Sequence, residues 1–300
     1  RYAPSTMNKP LPITTFSLVA RDPETGDLGI AVASKFLAVG AYVPYIQAGV
    51  GAVATQAHAN TSFGPRGLKL LAAGHAPADI VGVLLDGDKM ASQRQFGIVA
   101  ADGRSAYYSG ENCLPWAGGT AGENYAAQGN ILTGPDVIDA LVAGLGNTEI
   151  PFPERLLAAL KAADDAGGDK RGRQSAALMV YGEGKGYGGY NDRYIDLRVD
   201  DLDRPVDKLA ELLDMHRLYF GTPTETPREL STSDITWLQR ASHEAGYFAG
   251  PFSGQYDEAT ERAVQQLFGT ENMEERWLGG PRMDPVAWRH LRRRFAHLDY

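Results

Sequence analysis

A hydroxyl becomes a nucleophile at neutral pH only when a base takes its proton, and Thr14-Thr15-Phe16-Ser17 carries three hydroxyls into the first strand-like run of this chain. Strand alternation puts Thr15 and Ser17 on one face, and Lys35 ends the partner run. Lysine is a poor base near neutrality: with a pKa of about 10.4, only about 0.1 % of it is uncharged. The same residues equally suit a plain strand, with threonine as a favoured strand residue and Lys35 as a solvated end. Cys113, the single cysteine, is the other nucleophile to consider. No histidine lies in its loop, Glu111-Asn112-Cys113-Leu114-Pro115-Trp116, and a lone cysteine commonly packs as a small apolar residue.

The chain holds no G-x-S-x-G elbow, P-loop or H-E-x-x-H motif. Its histidines, His58, His75, His216, His243, His290 and His297, show no ligand spacing, so neither a metal nor another cofactor is expected. With 300 residues, 43 % apolar and 22 % charged, the chain has an ordinary globular composition and the length for two domains. No apolar run reaches the roughly eighteen residues of a membrane helix, so no membrane partner is expected. A net charge of −8 opposes a duplex nucleic-acid partner. The local cluster Arg289, Arg292, Arg293 and Arg294 reads as a solvated face closing a helix C-terminus. Residues 1–13 lack the apolar stretch of a signal peptide, and residues 1–14 read as a leader or tag remnant. Met7 as the natural start would put the protein in the cytoplasm, with the periplasm as the alternative.

Positioning these residues requires a sheet. Runs at 15–20 and 28–34 form a hairpin around the turn Pro23-Glu24-Thr25-Gly26-Asp27. Residues 41–57 supply two more strands, broken at Gly49 and Gly51, and helices follow near 64–73 and 77–86. A second hairpin spans 95–100 and 105–108 across Asp102-Gly103. Residues 110–134, rich in Gly, Asn and Gln, read as an ordered loop. Helices fit 135–144 and 153–164, strands 174–181 and 193–199, and a helix at 206–218 closes the domain. Strand pairs alternating with helix pairs predict an α+β fold of antiparallel sheets under helical layers, a four-layer αββα sandwich.

The stretches TFSLVARDPETGDLGIAVASKF, GAVATQ, FGPRGLKLL, GGDKRGRQSAAL and DLRVDDLDRPVDKL, in that order over residues 15–214, resemble domain-of-unknown-function family 1028. That family is assigned an N-terminal-nucleophile hydrolase-like fold, an αββα sandwich, in agreement with the layer order. By fold analogy the resemblance implies amide-bond hydrolysis of a small molecule or short peptide, and Thr15 matches the nucleophile position. The base in such an enzyme is the nucleophile's own α-amine, whose pKa of about 7.7–8 leaves a sizeable neutral fraction. The resemblance further implies an oxyanion site at the backbone of Thr55-Gln56-Ala57, in a loop after a strand. Lys35 would depress the amine's pKa or hold an anionic substrate group. Ser17 would share the catalytic face, and Asn60, Asp169, Arg171, Gln174 and Ser175 would orient the substrate. Fourteen residues precede Thr15. The chemistry therefore requires removal of the leader; otherwise the chain is an inactive precursor, or a member that keeps the fold without this reaction.

Residues 221–234, with Pro223, Pro227 and several Ser and Thr, read as a linker between a domain at 15–220 and a small one at 235–300. In the latter, Trp237-Leu238-Gln239-Arg240-Ala241, Gly246-Tyr247, Phe252-Ser253-Gly254 and Ala263-Val264-Gln265-Gln266-Leu267-Phe268 resemble a peptidoglycan-binding domain. Pro285, Trp288 and Leu291 match its closing helix, and Leu238, Val264, Phe268 and Leu291 would form a three-helix core. The sequence departs from the pattern at 269–275. The resemblance implies a peptidoglycan fragment as partner and, as an alternative to catalysis, a ligand-binding protein reusing the fold. Self-association as a homo-oligomer is left open.

Overall fold

The computed structural model describes residues 12–221 and 225–299. Residues 1–11 of the expected leader and 222–224 of the expected linker lie outside them. The chain divides into two compact units, with the division between Glu211 and Leu212.

The first unit opens with β1 (Thr15–Arg21) and β2 (Leu28–Ser34), an antiparallel hairpin in which Thr15 faces Ser34 and Arg21 faces Leu28. The turn closes because Asp22 N–H donates to the Asp27 carbonyl at 2.8 Å and Gly26 takes φ 78°, which costs glycine nothing. There follow β3 (Pro44–Gln47), β4 (Gly51–Ala57), α1 (Phe63–Ala72), α2 (Pro77–Leu85), β5 (Arg94–Ala100) and β6 (Ser105–Ser109). Next come β7 (Gly118–Gly122), β8 (Tyr125–Gly129), α3 (Asp136–Leu145), α4 (Phe152–Asp165), β9 (Ser175–Tyr181) and β10 (Arg193–Val199). Helix α5 (Pro205–Phe220) spans the division between the units.

Two antiparallel sheets result, one in the order β10-β9-β2-β1-β8-β7 and one in the order β3-β4-β5-β6. Helices α3 and α4 pack on the first, α1 and α2 on the second, and strands of the two sheets touch through β1 with β4 and β5, and β5 with β8. Period-two alternation sorts the side chains. Val19, Ile30, Val32, Ala52, Ala54 and Val99 form one buried cluster, while Val53, Phe96 and Ile98 form another with Phe63, Ile80 and Leu84 of α1 and α2.

The expectation of a loop over 110–134 is corrected: β7 and β8 form a hairpin there, and β8 pairs directly with β1. Their segments, GGTAG and YAAQG, are mostly glycine and alanine, with Thr120 and Tyr125 as the only strand-favouring residues. Small residues are demanded by close approach instead. A Cβ on Gly119 would lie 2.4 Å from the Ala127 carbonyl oxygen, and one on Gly129 would lie 2.5 Å from Leu132 Cδ1.

In the second unit, β11 (Arg228–Glu229) pairs with β12 (Arg282–Met283), and the helices are α6 (Thr232–Glu244), α7 (Glu258–Thr270) and α8 (Pro285–Arg294). Two short pieces of the stretch expected as linker are thus ordered, as β11 and the start of α6. Each helix starts at a capping residue: Ser231 with Asp234 in a reciprocal capping box, Asp257 on Thr260 N–H, and Asp284 on Val286 and Ala287 N–H. Leu238, Val264, Phe268 and Leu291 share one buried cluster. Arg276 is 3 % exposed and pairs with Asp284, 1 % exposed, at 3.0 Å. Its guanidinium also donates to the carbonyls of Arg217, Leu218 and Gly221, so one side chain closes the end of α5 and orients the cap of α8. Arg276→Ala would leave the buried Asp284 carboxylate without its cation and three carbonyls without their donor, at a cost of about 3–5 kcal/mol. Arg276→Lys should recover only part of it, because an ammonium cannot reproduce the fork. Thermal unfolding followed by tryptophan fluorescence measures both, since Trp237, Trp277 and Trp288 all lie in this unit.

Candidate functional site

The N-terminal end of β1 is enclosed, with Thr14, Thr15 and Ser17 fully buried and Ser34 2 % exposed. The hairpin register brings Ser34 opposite Thr15, and its hydroxyl sits between groups of Thr14 and Thr15. Ser34 Oγ donates to the Thr14 carbonyl oxygen and accepts from Thr15 Oγ1 at 3.1 Å. The Thr15 hydroxyl has a second acceptor at 3.1 Å, the Ile13 carbonyl. Thr14 Oγ1 donates to Asp169 Oδ2 at 3.0 Å. That carboxylate is held by the Lys35 main-chain N–H at 3.1 Å and by the N–H and guanidinium of Arg171, whose far end also donates to the Lys35 carbonyl.

A second polar cluster fills the space between the sheets just behind Thr15. Ser17 Oγ donates to Gln56 Oε1 and accepts from Gln128 Nε2, both at 2.6 Å. Gln56 Nε2 donates to the Thr15 carbonyl at 3.2 Å and to Gln95 Oε1 at 2.9 Å. Gln95 Oε1 also accepts from Asn130 Nδ2 at 2.9 Å, and its Nε2 donates to the Gly129 carbonyl at 2.7 Å. A buried amide left unpaired costs about 1–3 kcal/mol, so this cluster fixes how the two sheets meet and where the Thr15 carbonyl points.

Of the residues singled out from sequence, Thr15, Asp169 and Arg171 lie around one point, together with the main chain of Lys35. The Lys35 side chain is exposed and its Nζ donates to the Arg173 carbonyl at 3.1 Å. Ser17 is committed to Gln56 and Gln128. Thr55-Gln56-Ala57 is the end of strand β4 rather than a loop after it. Thr55 N–H donates to Val43 and Ala57 N–H to Ile13, leaving the Gln56 side chain as the part that reaches the Thr15 strand. Asn60 organises the approach to α1, accepting from Ser62 Oγ at 2.7 Å. Gln174 donates to Asp201 at 3.1 Å, and Ser175 holds the turn between the Phe36 carbonyl and Val39 N–H. Thr14, Ser34, Gln95, Gln128 and Asn130 were missed. Ser34 could have been found by carrying the hairpin register back from its turn; Gln128 and Asn130 lay in the stretch read as a loop.

The second unit carries a cleft of about 440 Å³ lined in part by Ser233, Thr236, Trp237, Arg240 and Arg292. The Arg292 guanidinium lies 4.7 Å from the Trp237 ring centroid, a cation–π stack, and the expected helix-end arginines 292–294 do form the last turn of α8. Among the described residues no helix is long and apolar enough to cross a membrane.

Residues 15–209 match the model of a family described as a family of unknown function, DUF1028, and residues 219–291 match "Putative peptidoglycan binding domain". A crystal structure of a Silicibacter pomeroyi protein, itself assigned to DUF1028, is 30 % identical with a TM-score of 0.64, over 69 % of this chain and 88 % of that one. The mixed α/β unit and the helical unit are thus of recognised kinds. The chain belongs to the DUF1028 family. Among curated proteins, none matches it.

Burial pushes the Cys113 thiol above its ordinary pKa, and its Sγ contacts the Arg94 carbonyl at 3.4 Å, which argues against a thiolate nucleophile. Because a raised pKa keeps the thiol protonated near neutrality, alkylation of Cys113 by iodoacetamide at pH 7 should run slower than that of free cysteine. The rate should climb as pH is raised past the ordinary thiol range. Mass-spectrometric rates across pH 7–10 check this.

Proposed function

We propose that this protein is an N-terminal-nucleophile-type amide hydrolase in which Thr15 is the nucleophile and the Thr14–Thr15 peptide bond is cut to expose it. The observation that carries the reading is the Ser34 hydroxyl, which bridges the Thr15 hydroxyl and the Thr14 carbonyl oxygen. The facing sheets with a helix pair on each outer side support it further, as a four-layer αββα sandwich would have them. The proposed domain limits are 15–220 for the hydrolase and 235–300 for the binding domain, joined by 221–234.

In the self-cleavage step Thr15 Oγ1 adds to the Thr14 carbonyl carbon, and its proton passes through Ser34 toward the carbonyl oxygen. The Thr14–Thr15 C–N bond then breaks, the nitrogen takes up that proton, and an ester joins Thr14 to Thr15 Oγ1. Water splits the ester, leaving a Thr14 carboxylate and a free Thr15 α-amine. In turnover that amine takes the hydroxyl proton as Oγ1 attacks a substrate amide carbon, and returns it to the leaving amine. Hydrolysis of the resulting ester regenerates the enzyme. Ser34 and Gln56 hold the nucleophile's strand, and Asp169 with Arg171 forms the adjoining wall.

Intact-mass measurement on protein made from its own gene is expected to give a chain beginning at Thr15. Thr15→Ala should leave the leader in place and abolish amide hydrolysis, and Ser34→Ala should slow leader loss by about a hundredfold. A native chain that is fully active with residues 1–14 attached would sink the reading.

The match of residues 219–291 favours a second reading, a peptidoglycan-binding protein acting outside the cytoplasm. Sedimentation with purified peptidoglycan, comparing the full chain with residues 1–220, tests it. Binding confined to the full chain supports it, and equal binding by both removes it.

A further inference from the structure

Building on the Thr15 nucleophile reading, we propose that Ile13 and Thr14 occupy the acyl side of the substrate site, and that the substrate is a short peptide. Threonine or serine would precede its cleaved bond, with an aliphatic residue one position earlier. The two leader residues are seated as a bound peptide would be. Ile13 pairs with Ala57 as an isolated antiparallel bridge, donating to the Ala57 carbonyl at 2.7 Å and accepting from its N–H at 2.9 Å. This is strand addition: main-chain bonds supply affinity and require an extended peptide whatever its side chains. Ala57 sits at φ 61°, a region non-glycine residues rarely occupy, where β4 hands its last N–H and C=O to the leader.

Side-chain selection comes from two different environments. The Ile13 side chain is 6 % exposed and belongs to an apolar cluster with Val39, Val43 and Ala54. Thr14 is fully buried, and its hydroxyl bonds the Asp169 carboxylate, which four other donors hold in place: Lys35 N–H and the main-chain N–H, Nε and Nη2 of Arg171. Once Thr14 leaves, Asp169 Oδ2 still faces the emptied subsite and lacks the hydroxyl that was there. A site built to bond a hydroxyl rejects the isostere lacking it, because its own polar group is then left unpaired. The Thr14 carbonyl, held by Ser34, marks where the substrate's reacting carbonyl lies.

The test uses protein lacking residues 1–14, released by the chain itself or by a protease site placed before Thr15, with its near-UV dichroism unchanged. Acetyl-Pro-Leu-Pro-Ile-Thr, which copies residues 10–14, and its valine-ended isostere are titrated by calorimetry. The threonine peptide is expected to bind about tenfold or more tightly. Methylating its isoleucine nitrogen should abolish binding, and Asp169→Ala should bring the two peptides within about twofold of each other. Equal affinity for both peptides on the unaltered protein, or binding of neither, overturns the proposal. Thr15→Ala in the same shortened chain should keep the peptide preference while hydrolysing no peptide anilide. Preference without turnover in the unaltered chain therefore removes the catalytic reading alone, whereas turnover indifferent to the hydroxyl removes the substrate assignment alone.

Discussion

The arrangement of the first unit depends on one constraint: three glutamines, a serine and an asparagine are buried between two sheets and bond one another, with only Gln128 Oε1 of their fully buried side-chain atoms left unpartnered. Gln56 comes from the four-stranded sheet, Ser17 and Gln128 from the six-stranded one, and their amides close on each other with the backbone of Thr15 and Gly129. An apolar contact can slide by a few tenths of an ångström at little cost. A buried amide network cannot, since any shift leaves a donor or acceptor unpaired in a low-dielectric interior. The sheets are therefore locked at the end where the hydroxyls of Thr15 and Ser34 meet, and freely apolar at the other.

That locking explains why the reactive-type residues are buried rather than displayed. With Ile13 paired to Ala57 and Thr14 bonded to Asp169, residues 13–15 are part of the packed interior. A hydroxyl held against a carbonyl by a neighbouring serine is an arrangement that orientation alone makes useful, and orientation is what a buried, fully bonded segment supplies. The second unit achieves order by different means. Its helices are short, and each is started by a side-chain cap, while the Arg276–Asp284 pair ties three carbonyls and one cap to a single buried charge. Family membership agrees with this division, with one family model on each part of the chain.

Most of the secondary structure was legible from local patterns. The Pro23-to-Asp27 turn and Asp102-Gly103 announced two hairpins, and apolar spacing located the helices at 63–72, 77–85, 136–145, 152–165 and 205–220 to within a residue or two. The hairpin at 118–129 was not legible. Its strands are mostly glycine and alanine, and at Gly119 and Gly129 a neighbouring carbonyl and the Leu132 side chain come within contact distance; close approach is a property of neighbours that local sequence does not reveal. The site was read unevenly for the same reason. Thr15 stood out as a hydroxyl at a strand start, but the Lys35 ammonium turned out to bond Arg173, and Gln174 and Ser175 serve turns nearby.

What the sequence determined by itself is therefore the helices and most of the strands of the first unit, because turn chemistry and periodicity act over a few residues. It also determined the family, carried by blocks spread along residues 15–214. Only the tertiary structure decided which polar residues converge. Thr14 and Asp169 are 155 positions apart, and Gln128 and Ser17 are 111 apart. Those pairings arise from the order of strands in the sheets and the stacking of one sheet on the other, and neither is written in any local stretch of the chain.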